Sequence, residues 1–399
     1  MQWSLSKRPR KLDDIFGQEH IKKYFKNIHK LETTLIEKEK AAKAADPSYK
    51  EKSIDEYPTL TALMGRYGTG KTTTAQILAM TMACNNLDAD GNPCCECPEC
   101  RSVIDQTFDR DIIQIDGGQA SKDDVIDKVS DFIKTGPFFA KRKVVIIEEV
   151  QELSDKARNS MLRITEISKP KIHFIYTSME NLPASGFLSR AQVFKFKYAP
   201  VDEIMFYLKS IMESEGLWDN KEIPEEFKFQ GLATIAANAN GSYRQALQVL
   251  QQCILTESYT AEDLKENFGY VEYESFANIM FGILNGATDE VMFNTIIEGD
   301  YNTTFNLAYK VVSDAVQWNT FGKVSGGAFF EKQAKNIGSH PNFPLMLNTF
   351  KELSATSRTG FLKKQDYVIS MCELLRQCKA ALNPPQPAAM PVRQLPKRG

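Results

Sequence analysis

The chain has 399 residues, 42% hydrophobic and 25% charged, with a formal net charge of −2. This is an ordinary globular mixture long enough for two or three domains, and it leaves any nucleic-acid binding to a local basic surface. The opening MQWSLSKRPRKLDDIF lacks the apolar stretch of a secretory signal, and no run reaches the roughly 18 apolar residues of a membrane span. A soluble, intracellular and cytoplasmic protein with no membrane partner is therefore expected.

The segment KLETTLIEKEKAAKAADPSYKEKSIDEYP, Lys30 to Pro58, is rich in Lys, Glu and Ala. It predicts an exposed, solvated helix and linker. TLTALMGRYGTGKTTTAQILAM then reads strand, loop, helix. Leu60 to Met64 is a short apolar run, Gly65, Gly70, Lys71 and Thr72 fit GxxxxGKT, and the helix starting near Lys71 buries Ile77, Leu78 and Met82. Backbone N–H groups of Gly68, Thr69, Gly70 and Thr73 in such a loop cradle the phosphates of a nucleotide such as ATP. Lys71 reaches the β- and γ-phosphates, and the Thr72 hydroxyl holds Mg²⁺. Gly68 and Gly70 let the backbone approach closely.

Five cysteines follow within CNNLDADGNPCCECPEC. In a reducing compartment such a cluster points to a metal rather than to disulfides. Cys94, Cys97 and Cys100 have CxxCxxC spacing, and with Cys84 they make a closed four-thiolate Zn²⁺ site. Cys95 is the spare, or an alternative to Cys94. Such a site has no open position for substrate, so its role is structural.

DRDIIQIDGG, Asp109 to Gly118, reads as a strand, and SKDDVIDKVSDFI as a helix with Ser121 as N-cap and Asp124 three residues on. KRKVVIIEEVQELS contains the continuous apolar run Val144 to Ile147, which predicts a central parallel strand ending in Glu148 and Glu149. At that edge one carboxylate holds the magnesium shell and the next orients an attacking water. Glu148 stands where Asp is usual, which moves its carboxylate outward by about 1.5 Å. KIHFIYTS, Lys171 to Ser178, is a further buried strand. The alternation predicts a doubly wound parallel α/β sheet. APVDEIMFYLKSIMESEG, Ala199 to Gly216, begins a helical lid, and residues 260–383 read as amphipathic helices in which Cys253, Cys372 and Cys378 pack. The Pro-rich NPPQPAAMPVRQLPKRG predicts a disordered tail.

These pieces, over roughly residues 6 to 255, resemble the ATPase subunits of clamp loaders in the AAA+ superfamily, and among them bacterial DNA polymerase III gamma/tau. The resemblance rests on RP…DIFGQEH, GRYGTGKT, NPCCECPEC, VVIIEEVQELS, GFLSRA and GSYRQAL. It implies an AAA+ domain over 1–198 with a zinc insertion at 84–100, a lid over 199–258, an oligomeric collar over 259–383 and a tail over 384–399. It places Ile15 and Phe16 at the adenine and makes Glu149 the catalytic carboxylate, with Ser178 or Thr177 as the polar sensor of the core. Arg190 reaches the γ-phosphate of a neighbouring subunit, although Ala191 replaces the family's cysteine. Arg244 is the sensor arginine of the lid. Ser121, Lys122, Lys156 and Arg158 are candidates to grip DNA phosphates. The implied partners are other subunits in a ring or spiral, pentameric by resemblance, together with a sliding clamp, primer–template DNA and the DNA polymerase as a further candidate. A divergent member, such as one carried by a large virus of bacteria, would account for the Lys30–Pro58 insertion and Glu148. Two competing readings are an ATP-binding scaffold that barely hydrolyses and a different DNA machine of the superfamily, such as a branch-migration motor.

Overall fold

The computed structural model describes residues 2–46, 48–50, 54–108, 110–118, 122–167, 171–179, 191–270, 273–286, 301–324, 328–358 and 364–382. Its centre is a five-stranded parallel sheet: β1 (Leu60–Met64), β2 (Ile112–Asp116), β3 (Lys143–Glu148), β4 (Ile172–Ser178) and β5 (Gln192–Lys195), in the order β2-β3-β4-β1-β5. β1 lies between β4 and β5, with Leu60 opposite Phe174 and Thr61 opposite Gln192. Sequence reasoning found four of these strands; β5 is short and amphipathic, and it went unread.

Successive residues of a strand point to opposite faces, so the apolar runs feed two cores. Val144, Ile146, Leu63 and Ile175 pack on one face with α2 (Glu19–Ala45), α3 (Lys71–Ala83) and α4 (Pro98–Ile104). Val145, Ile147, Phe174 and Tyr176 pack on the other with α5 (Lys122–Ile133) and α6 (Asp155–Ile167). Each such side chain contributes about 1.5–3 kcal/mol of burial, which explains why these strands tolerate so few polar residues. Helix α3 is buried nearly all round, Ile77, Leu78 and Met82 included, because sheet and cysteine insertion enclose it.

The Lys30–Pro58 expectation needs correction at both ends. Helix α2 starts at Glu19 and buries Ile21, Phe25, Ile28 and Glu32; it is mostly exposed only beyond that point. Glu32 is buried because Arg142 pairs with it. Arg142 also bonds Asp55 Oδ1 at 2.7 Å and lies over the buried Tyr57 ring, while His173 Nε2 meets Asp55 Oδ2 at 2.9 Å. The insertion is thereby tied to the N-terminal ends of β3 and β4 by paired charges, the condition under which buried charges are tolerated.

The chain divides into two compact units. The first takes in Met1–Ala199, Glu203–Asp219 and Gly241–Gln252; the second takes in Pro200–Asp202, Asn220–Asn240 and Cys253–Gly399. The residues read as a lid, 199–258, are thus shared between them. α7 (Val201–Ser214) and α9 (Tyr243–Thr256) each contribute most of their length to the first unit. Among its described residues, the regular elements of the second unit are all helices. It runs through α8 (Leu232–Asn238), α10 (Ala261–Phe268), α11 (Tyr273–Leu284), α12 (Tyr301–Phe321), α13 (Ala328–Gly338), α14 (Phe343–Arg358) and α15 (Lys364–Leu382). α10 opens on a capping box between Thr260 and Asp263 and ends on Gly269. Phe276, Phe330, Phe350 and Tyr367 fill this unit's core. Cys253 and Cys378 are buried as expected, but Cys372 is exposed, because it lies off the buried face of α15 that carries Met371 and Leu374.

Candidate nucleotide-binding site and cysteine cluster

The loop from Gly65 to Gly70 leaves the end of β1 and turns into α3. Gly68 has φ +76°, and a Cβ there would lie 1.9 Å from Ser242 Oγ, so no side chain fits. The Tyr243 N–H donates to the Gly68 carbonyl at 3.1 Å, which seats the GSYR segment directly on the loop. Thr69 Oγ1 and Lys71 Nζ both donate to the Arg66 carbonyl, at 2.8 and 3.0 Å. Lys71 is buried, which lowers its pKa, and the negative charge of Glu149 opposes that shift.

One cavity is lined by this loop together with Thr72, Thr73, Glu149 and Arg244. Part of its lining is apolar and aromatic: Ile15 and Phe16 together with Tyr207 and Tyr243. The Phe16 and Tyr207 rings meet edge-on with centroids 4.9 Å apart, and Tyr207 meets Tyr243 likewise at 5.2 Å. Lys22 Nζ donates to the Ile15 carbonyl at 2.9 Å, which fixes the loop that presents both residues. A phosphate cradle next to an apolar slot matches a nucleotide's charged tail and flat base.

The carboxylates sit where β3 ends. The Thr72 hydroxyl lies near enough to the Glu148 carboxylate to favour its charge, and Glu148 Oε1 is buried with no hydrogen-bond partner among the described residues. Burial pushes the Glu148 carboxyl up, while the Thr72 hydroxyl and the Arg8 charge pull it down. A hydroxyl beside an orphaned carboxylate oxygen is a donor set that suits Mg²⁺, which takes oxygen ligands and keeps several waters. Glu149 adopts a left-handed backbone with φ 47°. It is held there by its own N–H, which donates to Thr177 Oγ1 at 3.2 Å, and by its carbonyl, which accepts from the Glu152 N–H at 2.8 Å. Gln151 Nε2 donates to its carboxylate at 2.5 Å. Ser178 contributes its carbonyl, which accepts from the Gly65 N–H at 3.1 Å.

Sequence reasoning missed the N-terminal contribution. Arg8 lines the cavity, and burial followed by the Arg244 charge lowers its pKa. Tyr67, Tyr207 and Tyr243 also line it, and nothing in spacing singles them out. Arg190 and Ser121 lie outside the described residues, as does the side chain of Lys122. Lys156 is exposed on α6, whereas Arg158 is engaged by the Gln151 carbonyl at 2.8 Å and by Asp155.

The thiol cluster resolves the choice between Cys94 and Cys95. The sulfurs of Cys84, Cys94, Cys97 and Cys100 all lie within 4.8 Å of one another. Zn–S bonds of about 2.3 Å in a tetrahedron require S–S separations of about 3.8 Å. Cys84 to Cys94 measures 3.5 Å and Cys84 to Cys97 4.0 Å. Backbone N–H groups already point at these sulfurs, Asn86 to Cys84 and Cys97 to Cys94 at 3.3 Å each, as thiolate ligands need. Cys95 has φ 61° and turns its thiol toward the Arg10 carbonyl, away from the cluster. The four thiols fit zinc.

Residues 51–200 match the family model described as DNA polymerase III, delta subunit. The chain is 28% identical over 258 residues to DNA polymerase III subunit gamma of Buchnera aphidicola, covering 64% of this chain and 65% of that one. It is 30% identical over 262 residues to DNA polymerase III subunit tau of Bacillus subtilis, covering 65% of this chain and 40% of that one. The match thus spans about two fifths to two thirds of these relatives' own lengths. Among solved structures, a Thermotoga maritima RuvB variant aligns at 18% identity and TM-score 0.40, over 69% of this chain and 79% of that one. The DNA clamp loader delta protein of Bacillus subtilis aligns at 15% identity and TM-score 0.34, over 80% and 96%. Both are too distant to add to the argument. The family match and the relatives make this chain, over about two thirds of its length, similar to the gamma and tau subunits of DNA polymerase III, on a parallel sheet.

Proposed function

We propose that the chain binds and hydrolyses ATP to open a ring-shaped sliding clamp and leave it closed on primer–template DNA during replication in the cytoplasm. The observation that supports this most is the convergence of Lys71, Thr72, Glu148, Glu149 and Arg244 on one glycine-rich loop beside an apolar slot. In this reading Ile15, Phe16, Tyr207 and Tyr243 take the adenine, while the N–H groups of Gly68 to Thr73 and the Lys71 ammonium take the phosphates. Thr72 and Glu148 would hold Mg²⁺, which neutralises charge on the β- and γ-phosphate oxygens. Glu149 orients a water and takes its proton as the water oxygen bonds to the γ-phosphorus. The bond to the β-phosphate oxygen breaks, and ADP and inorganic phosphate leave. Arg190 of a neighbouring subunit would neutralise the transferring group.

The same reading divides the chain into an AAA+ domain, a lid and a helical collar through which subunits assemble, pentameric by resemblance. Exposed Lys156, with Ser121 and Lys122, would face the DNA backbone; Arg158 is less available because Asp155 and the Gln151 carbonyl already hold it. The four-thiolate cluster would carry zinc as a structural brace between α3 and α4.

The test is ATP hydrolysis by the purified protein, alone and with clamp and primed DNA, beside Glu149→Gln. Joint stimulation by clamp and DNA that the variant loses supports the reading. ATP binding without hydrolysis under every combination supports the scaffold reading, which Glu148 in place of Asp favours. Full stimulation by DNA without clamp overturns clamp loading in favour of another DNA machine.

A further inference from the structure

Tyr67 stands in the middle of the phosphate loop, 59% exposed, and no role in nucleotide binding follows from its position alone. Its partner is specific. The Arg244 guanidinium lies 4.6 Å from the centre of the Tyr67 ring, and Arg244 Nη1 donates to the Tyr67 hydroxyl. Arg244 is one residue after Tyr243, whose N–H is bonded to the Gly68 carbonyl, so two consecutive residues of the α9 start grip two consecutive residues of the loop. The neighbouring residue repeats the device: the Arg66 guanidinium lies 5.1 Å from the centre of the Tyr198 ring, and Tyr198 packs against Gly241, where a Cβ would fall 2.6 Å from its ring. The loop and the GSYR segment are therefore fastened together by aromatic and cationic side chains on both flanks.

We infer that Tyr67 is a positioning residue: it holds the Arg244 guanidinium at the phosphate side of the cavity before nucleotide arrives, and so sets the affinity for the triphosphate. The inference rests on the ATP-site reading above. An arginine side chain loses much rotamer freedom when it binds a phosphate. A ring that stacks on it and a hydroxyl that fixes one of its nitrogens remove part of that cost beforehand. The two contacts act differently, because Phe keeps the ring and loses only the hydroxyl.

The experiment measures ATP and ADP dissociation constants by calorimetry for the full-length protein, Tyr67→Phe, Tyr67→Ala, Arg244→Ala and the Tyr67→Ala/Arg244→Ala double variant, with Lys71→Ala as a site control. Tyr67→Ala should weaken ATP about fivefold to tenfold and ADP less, and Tyr67→Phe should retain most of the affinity. The decisive result is the cycle: in the Arg244→Ala background, Tyr67→Ala should have no further effect. Losses that multiply in the double variant overturn the positioning role while leaving the ATP site intact. A wild-type protein that binds no ATP, or one whose binding survives Lys71→Ala, overturns the site reading and this inference with it.

Discussion

The Thr177 hydroxyl gives the sharpest handle on the proposed chemistry. Thr177 is fully buried at the end of β4, and its Oγ1 accepts the Glu149 N–H at 3.2 Å across the β3–β4 pair. Glu149 sits at φ 47°, a region that costs a non-glycine residue about 1–3 kcal/mol and persists only when its surroundings enforce it. Thr177→Val keeps the shape and removes the acceptor. A typical hydrogen bond contributes about 1 kcal/mol net, and an unpaired N–H costs about 1–3 kcal/mol, which is the size of the strain it holds in place. Glu149 should therefore leave its left-handed conformation for part of the time, and the carboxylate should point away from the water it is proposed to orient. The expected outcome is a fall of about tenfold in kcat, equivalent to about 1.4 kcal/mol, with ATP affinity unchanged because the phosphate loop is untouched. Steady-state hydrolysis at saturating ATP and a direct ATP titration separate the two quantities. An unchanged kcat, or a loss confined to ATP affinity, refutes the claim that this hydroxyl positions the catalytic carboxylate.

Gly117 tests the same carboxylate from the other side. A Cβ there would lie 2.8 Å from both the Glu148 and Glu149 carbonyl oxygens, so Gly117→Ala should lower ATP hydrolysis more than ATP binding. For the thiol cluster, metal analysis should return about one zinc per chain, and Cys97→Ser should lose it together with thermal stability while Cys95→Ser keeps both. At Asp55 burial pushes the carboxyl up, but the bond to His173 and the Arg142 charge outweigh it and hold the group down to about 2, below an ordinary 3.8. The folded state binds this proton less readily, so the stabilisation is complete above about pH 4 and is lost as pH falls through about 2. It amounts to about 2 kcal/mol, and Asp55→Asn should flatten acid unfolding over that window. Arg142→Met leaves the buried Glu32 without its partner and Asp55 with His173 alone, and should cost about 3–5 kcal/mol in denaturant unfolding; adding Glu32→Leu should recover part of it.

Much of the sheet domain and its glycine-rich loop was legible because each of its signals is local. Continuous apolar runs give β1, β3 and β4; GxxxxGKT gives the loop and the start of α3; CxxCxxC with Cys84 gives the four-thiol cluster. What escaped depends on residues far apart in the chain. Arg8 reaches the cavity from the N-terminus, and Tyr207 and Tyr243 reach it from α7 and α9; none of them lies in a pattern with a period. The choice of Thr177 over Ser178 as the hydroxyl facing Glu149 follows from the parallel pairing of β3 with β4, which alternation within one strand cannot give. The expectation of solvation across Lys30–Pro58 failed because composition reports charge and not its partner. Glu32 and Asp55 look like surface residues until Arg142, more than 80 positions later, is brought beside them.

That cluster also bears on the geometry of the site. Arg142 directly precedes β3 and His173 lies near the start of β4. Asp55, bonded to both, ties the two strands together at their N-terminal ends. At their C-terminal ends the same two strands carry Glu149 and Thr177, joined by one hydrogen bond. The pair is thus fastened at both ends, and the relative height of β3 and β4 is fixed by charges at one edge and read out by a carboxylate at the other. A slip of one residue between parallel strands would turn every side chain to the wrong face and remove the Thr177 acceptor from Glu149. The insertion and the Glu149–Thr177 contact are therefore tied to the same pair of strands. Arg142 meets Glu32, Asp55 and the Met82 carbonyl together, so a shift of β3 along β4 would break several of these contacts at once.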